Sequence, residues 1–202
     1  GLDLLSGGLD QAGIPLDDDD LAEQLLLLLF AGYETTASSL SCLFRALLLN
    51  PEVECWLRDE LASEAASPRL DATVLEVMRL TPPVGGFFRR SLAPIELAGV
   101  AVPEGSVIQV VLSPTSAGDD EDLAAFRPQR HLDGSFKQTL LPFGGGERVC
   151  LGKALAELEI RLMAMGLLQT VELQLQPDQD LALQLIPSPT PKDGLLVQAT
   201  AR

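Results

Sequence analysis

Between Leu21 and Leu49 apolar residues recur so densely that almost no polar face is left. Leu25 to Phe30 cover every side of a turn and a half, and Leu40, Leu43, Phe44, Leu47 and Leu48 carry the pattern on. Such a segment predicts a long helix that belongs inside a protein rather than on its surface. Asp17 to Asp20 place acids at its start, where the helix dipole favours them, and Asn50-Pro51-Glu52 ends it. Asn50 can cap the next helix, with Pro51 at its first position, and that helix is expected to run to about Ala66. A third helix is expected over about Asp71–Leu80, stopped by Thr81-Pro82-Pro83.

After Pro83 the pattern shortens. Ile95 to Leu97 and Ser106 to Leu112 read as strands around the turn Val102-Pro103-Glu104-Gly105. Residues 113–142 carry little regular signal, and a structureless stretch of that length in a compact protein is usually functional or else hides an element. Leu151 to about Leu168 predicts an amphipathic helix, and short strands are expected near 171–175, 181–186 and 195–199. Residues 1–16, rich in glycine, read as a loop or tail, which leaves 17–202 as the folded unit. The sum is a mainly α fold with small β-hairpins.

Composition sharpens this picture. Hydrophobic residues make up 47% of the 202, but aromatics only 4%, so leucine and alanine do most of the packing and favour helix. The net charge of −15 excludes nucleic acid as the main partner. Locally the sign reverses: from Arg127 to Arg161 six basic residues face four acids, a segment suited to an anionic ligand or partner. Three cysteines, Cys42, Cys55 and Cys150, make no disulfide framework, and no secretory signal is evident, so a cytoplasmic setting is expected. The longest apolar run, Leu25 to Tyr33, stops at Glu34, and no membrane-spanning segment is expected.

Three places carry chemistry. In Phe143-Gly-Gly-Gly-Glu-Arg148-Val-Cys150-Leu-Gly152 the glycines let backbone approach a flat ligand, and Arg148 offers a planar cation two residues before the cysteine. Cys150 stands where the loop meets a helix start, and dipole and cation together favour its thiolate. In Ala31-Gly32-Tyr33-Glu34-Thr35-Thr36 small residues open a gap beside an acid and a hydroxyl within the apolar helix, where a buried acid is costly unless paired or useful. The alternative there is a packing notch whose threonines bond the preceding turn. Glu76 and Arg79, three apart on a helix, share a face and can pair.

The Cys150 segment resembles the cysteine-ligand loop of the cytochrome P-450 family, F-x-x-G-x-R-x-C-x-G, with Phe143, Gly146, Arg148, Cys150 and Gly152 in place. Ala31 to Thr36 is similar to the family's oxygen-activation segment, and Glu76–Arg79 with Phe126-Arg-Pro128-Gln-Arg130 is similar to its E-x-x-R and F-x-P-x-R motifs. The resemblance covers the C-terminal, haem-binding portion of that fold only: a long buried oxygen-activation helix and a ligand loop leading into a helix.

That resemblance implies haem b (iron-protoporphyrin IX) with Cys150 as the axial ligand of the iron. It implies cofactor contacts at Phe143, Gly144, Arg148 and Gly152, and a propionate contact at Arg89, with Arg90 the near alternative. Thr35 would hydrogen-bond the oxygen being activated or its water, and Glu34 would relay protons. Glu76, Arg79 and Arg130 would form a structural ion triad. The implied activity is monooxygenation of a small apolar substrate, with electrons from a ferredoxin or flavoprotein reductase. A peroxygenase or isomerase is one alternative; a remnant, or a split-enzyme half that needs a chain supplying the N-terminal portion, is another. His131, the only histidine, stands where the family has an aromatic residue and is not expected to bind metal. Cys42 and Cys55 are expected to be core cysteines. A helix apolar all round also predicts a large exposed apolar surface on the chain alone.

Overall fold

The computed structural model describes residues 7–9, 12–61, 67–112 and 121–202. The first long helix, α1, spans Asp18–Leu49. The Asp17 carboxylate accepts from the Asp20 backbone N–H at 2.9 Å, and three further aspartates fill the first turn. Asn50 departs from expectation. Its side chain donates back to the Ala46 carbonyl at 2.7 Å and so closes α1, because that helix end has unpaired carbonyls to offer. The next helix, α2 (Pro51–Leu61), begins directly at the proline; the expected continuation over residues 62–66 lies outside the described residues. Helix α3 (Pro68–Leu80) starts earlier than the sequence suggested, because the Ser67 hydroxyl caps it by accepting from the Leu70 N–H at 3.1 Å.

Strands β1 (Gly86–Arg90) and β4 (Val107–Val111) form an antiparallel hairpin that encloses a smaller one, β2 (Ile95–Leu97) with β3 (Val100–Val102). The sequence did not predict β1. Gly86 faces Val111 there, and a Cβ on it would lie 2.5 Å from the Val110 carbonyl oxygen, so only glycine fits. A four-residue helix, α4 (Glu121–Ala124), and a 3₁₀ turn, Pro128–His131, give form to part of the stretch that lacked a pattern; residues 113–120 lie outside the described residues. Helix α5 (Lys153–Thr170) follows the cysteine loop. The chain closes with two further antiparallel pairs, β5 (Val171–Leu175) with β8 (Val197–Ala201), and β6 (Leu183–Gln184) with β7 (Thr190–Pro191).

The core lies where the C-terminal half of α1 meets α2, α3 and α5. Leu43 and Leu47 of α1 pack with Leu57, Leu70, Ile160 and Leu168, all nearly inaccessible to water. Each such side chain contributes about 1.5–3 kcal/mol by burial. Arg58 locks α2 to the end of α5: its guanidinium donates to the Leu168 carbonyl and, at 3.2 Å, to that of Val171, while pairing with Glu54.

Two expectations about burial need correcting. Helix α1 is not buried along its length: Leu26, Leu29, Phe30 and Tyr33 are exposed, with Phe30 at 72% against 1% for Leu43. Burial begins at Ser38, whose hydroxyl reaches the Pro189 carbonyl at 2.7 Å. Helix α5 is likewise not cleanly amphipathic, since Leu155, Leu158, Leu162 and Met163 are exposed and only Ile160, Ala164 and Leu168 are buried. Together these side chains form the exposed apolar surface that the sequence predicted. By length and composition α1 is also apolar enough to cross a bilayer, a test that core helices pass as well. Its buried C-terminal half, however, is a packing surface of the core. Cys42 is buried as expected, whereas Cys55 is exposed, because it sits on the outer face of α2.

Candidate active site

The cysteine loop is shaped by its glycines. Gly144 and Gly146 take positive φ of 72° and 65°, a region other residues rarely enter, and Gly145 between them is extended. The Cys150 N–H bonds the Phe143 carbonyl at 2.9 Å, closing the loop on itself around the 3₁₀ turn Gly146–Arg148. Cys150 and Arg148 both emerge exposed, Cys150 two residues before Gly152, the cap of α5. The Lys153 ammonium lies 5.9 Å from the Phe143 ring centroid. The result is an accessible thiol flanked by cations and by exposed Val149 and Leu151.

On α1, the Thr35 hydroxyl donates to the Ala31 carbonyl at 2.8 Å, and the Thr35 carbonyl accepts from Ser39 at 2.9 Å. The back-bond is what a packing notch would make. It uses only the hydroxyl proton, so the oxygen still has lone pairs to accept from a ligand. Glu34 is half-buried rather than buried, because the exposed half of α1 gives it no cover. Both residues line an open cleft of about 390 Å³, whose other walls are Thr81 to Gly85 after α3 and the β6–β7 hairpin with Leu185 and Pro187. The lining is predominantly apolar.

Arg89 and Arg90 point to opposite faces of β1. The Arg89 guanidinium stacks over Phe87 at 4.3 Å, whereas Arg90 leans outward and reaches the Gly105 carbonyl at 3.4 Å.

Glu76, on α3, accepts bonds from several sides. Arg79 approaches it in bidentate fashion at 2.8 and 2.9 Å, and the Arg130 Nε–H donates at 2.9 Å. The Arg127 backbone N–H adds a bond of 3.0 Å, and His131 Nε2 one of 2.7 Å. All five donors converge on a carboxylate with no exposure. Burial alone would raise its pKa. The hydrogen bonds from Arg79, His131 and the Arg127 backbone overcome that and bring it down to about 2. Since an ionised carboxylate only accepts, His131 Nε2 carries the hydrogen. Arg130 reaches outward as well, to the Asp122 carboxylate at 3.1 Å and the Asp122 and Ala125 carbonyls, tying down 121–131.

Sequence reasoning missed His131 as a member of this cluster. The available signal was its place directly after Arg130, inside a 3₁₀ turn whose residues crowd together. Cys150 and Arg148 are exposed, a thiol and a guanidinium whose chemistry suits haem, whereas Arg89 is half-buried against Phe87. Among the described residues no cluster of three or more His, Cys, Asp or Glu could hold a bare metal ion.

The family profile "Cytochrome P450" matches residues 2–199. The chain is 39% identical over 215 residues to "Putative cytochrome P450 120" of Synechocystis, covering 98% of this chain and 48% of the relative. It is 33% identical to "Cytochrome P450 26B1" of Homo sapiens, with 98% and 44% covered. It is also similar to the structure titled "Retinoic acid bound cyanobacterial CYP120A1", at 35% identity and a TM-score of 0.87, over all of this chain and 50% of the other. The chain thus spans about half the length of the relatives it matches.

Proposed function

The chain belongs to the cytochrome P450 family, and on that premise we propose that it is the haem-binding half of a haem-thiolate monooxygenase. The observation that carries the reading is the accessible Cys150 thiol, set in a loop with Arg148 beside it and a glycine-shaped backbone beneath. Haem b would be held through Cys150, and when bound it supplies oxygen activation, with thiolate donation favouring O–O cleavage. Arg148 and Arg89 would pair with its propionates. Thr35 would hold a proton donor in place through its free lone pairs, and half-buried Glu34 would pass protons between solvent and the cleft. The Glu76 cluster would keep the segment leading to the cysteine loop in one shape.

The cleft walls would receive an apolar substrate. The relative whose structure holds retinoic acid makes an apolar carboxylic acid of that size the first class to test. Electrons would come from a ferredoxin or flavoprotein reductase docked on the locally basic segment around Cys150. The exposed apolar faces of α1 and α5 favour a second element in the same reading: a polypeptide matching the other half of the relatives covers them, on this chain or on a separate one.

The test is the absorption spectrum of the reduced, carbon monoxide-bound protein. A strongly red-shifted Soret band that disappears in Cys150→Ala supports the reading, and an ordinary haem–carbon monoxide band refutes it. Product formed with dioxygen and an electron donor, but not with peroxide alone, distinguishes monooxygenase from peroxygenase.

A further inference from the structure

One stripe of α1 grips a segment far away in sequence. Ser38, Cys42 and Arg45 lie at i, i+4 and i+7, on one face of the helix. The Ser38 hydroxyl donates to the Pro189 carbonyl at 2.7 Å, and the Cys42 thiol donates to the same oxygen at 3.3 Å. The Arg45 Nε–H donates to the Leu181 carbonyl at 2.6 Å. The three side chains thus hold both ends of the hairpin that β6 and β7 form. Between the anchors the tip, Leu185 and Ile186, projects exposed, and Leu183, Leu185 and Pro187 line the cleft opposite Thr35.

This grip is built rather than incidental. Ser38 is 1% exposed and Cys42 3%, and both are satisfied by one buried carbonyl with two lone pairs. Burial pushes the Cys42 thiol up, against smaller opposing effects from Thr81, Arg45 and Ser38, so it keeps its proton and can donate. The hairpin is a two-residue ladder and is too small to hold itself in place. Thr35 precedes Ser38 by less than one turn, so the clamp references the wall to the residue it faces.

We propose that Ser38, Cys42 and Arg45 are positioning residues that fix the β6–β7 hairpin as one wall of the cleft and so decide which apolar acids fit beside Thr35. The inference rests on the reading of the cleft as a substrate site, but not on haem being bound.

Amide hydrogen exchange on the full chain tests the clamp. Ser38→Ala with Cys42→Ala should speed exchange across 183–191 about fivefold or more, the loss expected for one or two net hydrogen bonds. Exchange in α5 should not change. Ser38→Thr and Cys42→Ser, which keep a donor, should restore protection. Thr73→Val, which removes a hydroxyl bonded within α3, should leave 183–191 untouched. The specificity half is read by equilibrium dialysis with retinoic acid and the shorter dodecanoic acid. The double variant should change the ratio of their dissociation constants by about threefold or more, and the donor-keeping variants should restore it. Equal exchange in wild type and double variant overturns the proposal, as does an unchanged ratio, or a wild-type chain that binds neither acid. The Soret spectrum reports the haem-thiolate reading separately, so the two can fail independently.

Discussion

The Glu76 cluster and the Cys150 loop are both built from charged or reactive side chains on irregular backbone, yet they are finished in opposite ways. Around Glu76 every acceptor position is met from within the chain, by two arginines, a histidine and a backbone N–H. At Cys150 the backbone is closed by the bond to Phe143, while the thiol and Arg148 are left facing outward. A buried charge must be satisfied internally or it destabilises the fold, whereas a group meant for a ligand has to stay open. Internal bonding therefore separates the residues that hold the fold from those that await a partner.

The sharpest way to break this contrast is to remove one member of each region. Glu76→Gln leaves Arg79 and Arg130 without their counter-charge and should cost about 3–5 kcal/mol in urea unfolding. Cys150→Ala, in the absence of haem, should stay within about 0.5 kcal/mol of wild type. Acid separates them too. The folded Glu76 pKa of about 2 lies below its ordinary 4.5, so its contribution is fully present above about pH 4.5. It should be lost progressively as the pH falls from there towards 2, and an acid titration of unfolding in Glu76→Gln should lack that component.

The two halves of α1 give the next contrast. Leu43→Ala, in the core, should cost about 2–5 kcal/mol. Phe30→Ser, on the exposed half, should change stability by less than about 0.5 kcal/mol while reducing self-association in sedimentation velocity. A large destabilisation from Phe30→Ser would mean that this half is packed within the chain after all. A loss smaller than that of Glu76→Gln belongs to His131. His131→Leu removes one of five donors to a carboxylate and should cost about 1–3 kcal/mol, with His131→Gln recovering part of it by keeping an N–H.

Much of this was legible in the sequence because it is local. The span of α1, the Pro51 start of α2 and the strands around Val102 to Gly105 follow from periodicity, caps and turns. The pairing of Glu76 with Arg79 follows from helical spacing. What escaped depends on distant chain. β1 was hidden because Phe87-Phe88-Arg89-Arg90 does not alternate apolar with polar, and its pairing with β4 decides its form. His131 and the grip of Ser38 on Pro189 act across 55 and 151 residues, beyond the reach of any local pattern. Burial along α1 was misjudged for the opposite reason: the composition called for cover on every side, but these residues cover only one half.

Arg130 carries a consequence for proteolysis. Segments with little regular structure are ordinarily a protease's first target. Here the peptide bond after Arg130 belongs to a side chain tied to α3 and to two carbonyls of 121–125. Trypsin can reach it only when those ties let go together. The rate of cleavage there should follow the opening of α3 rather than local motion, so a nick at Arg130 would serve as a clock for unfolding.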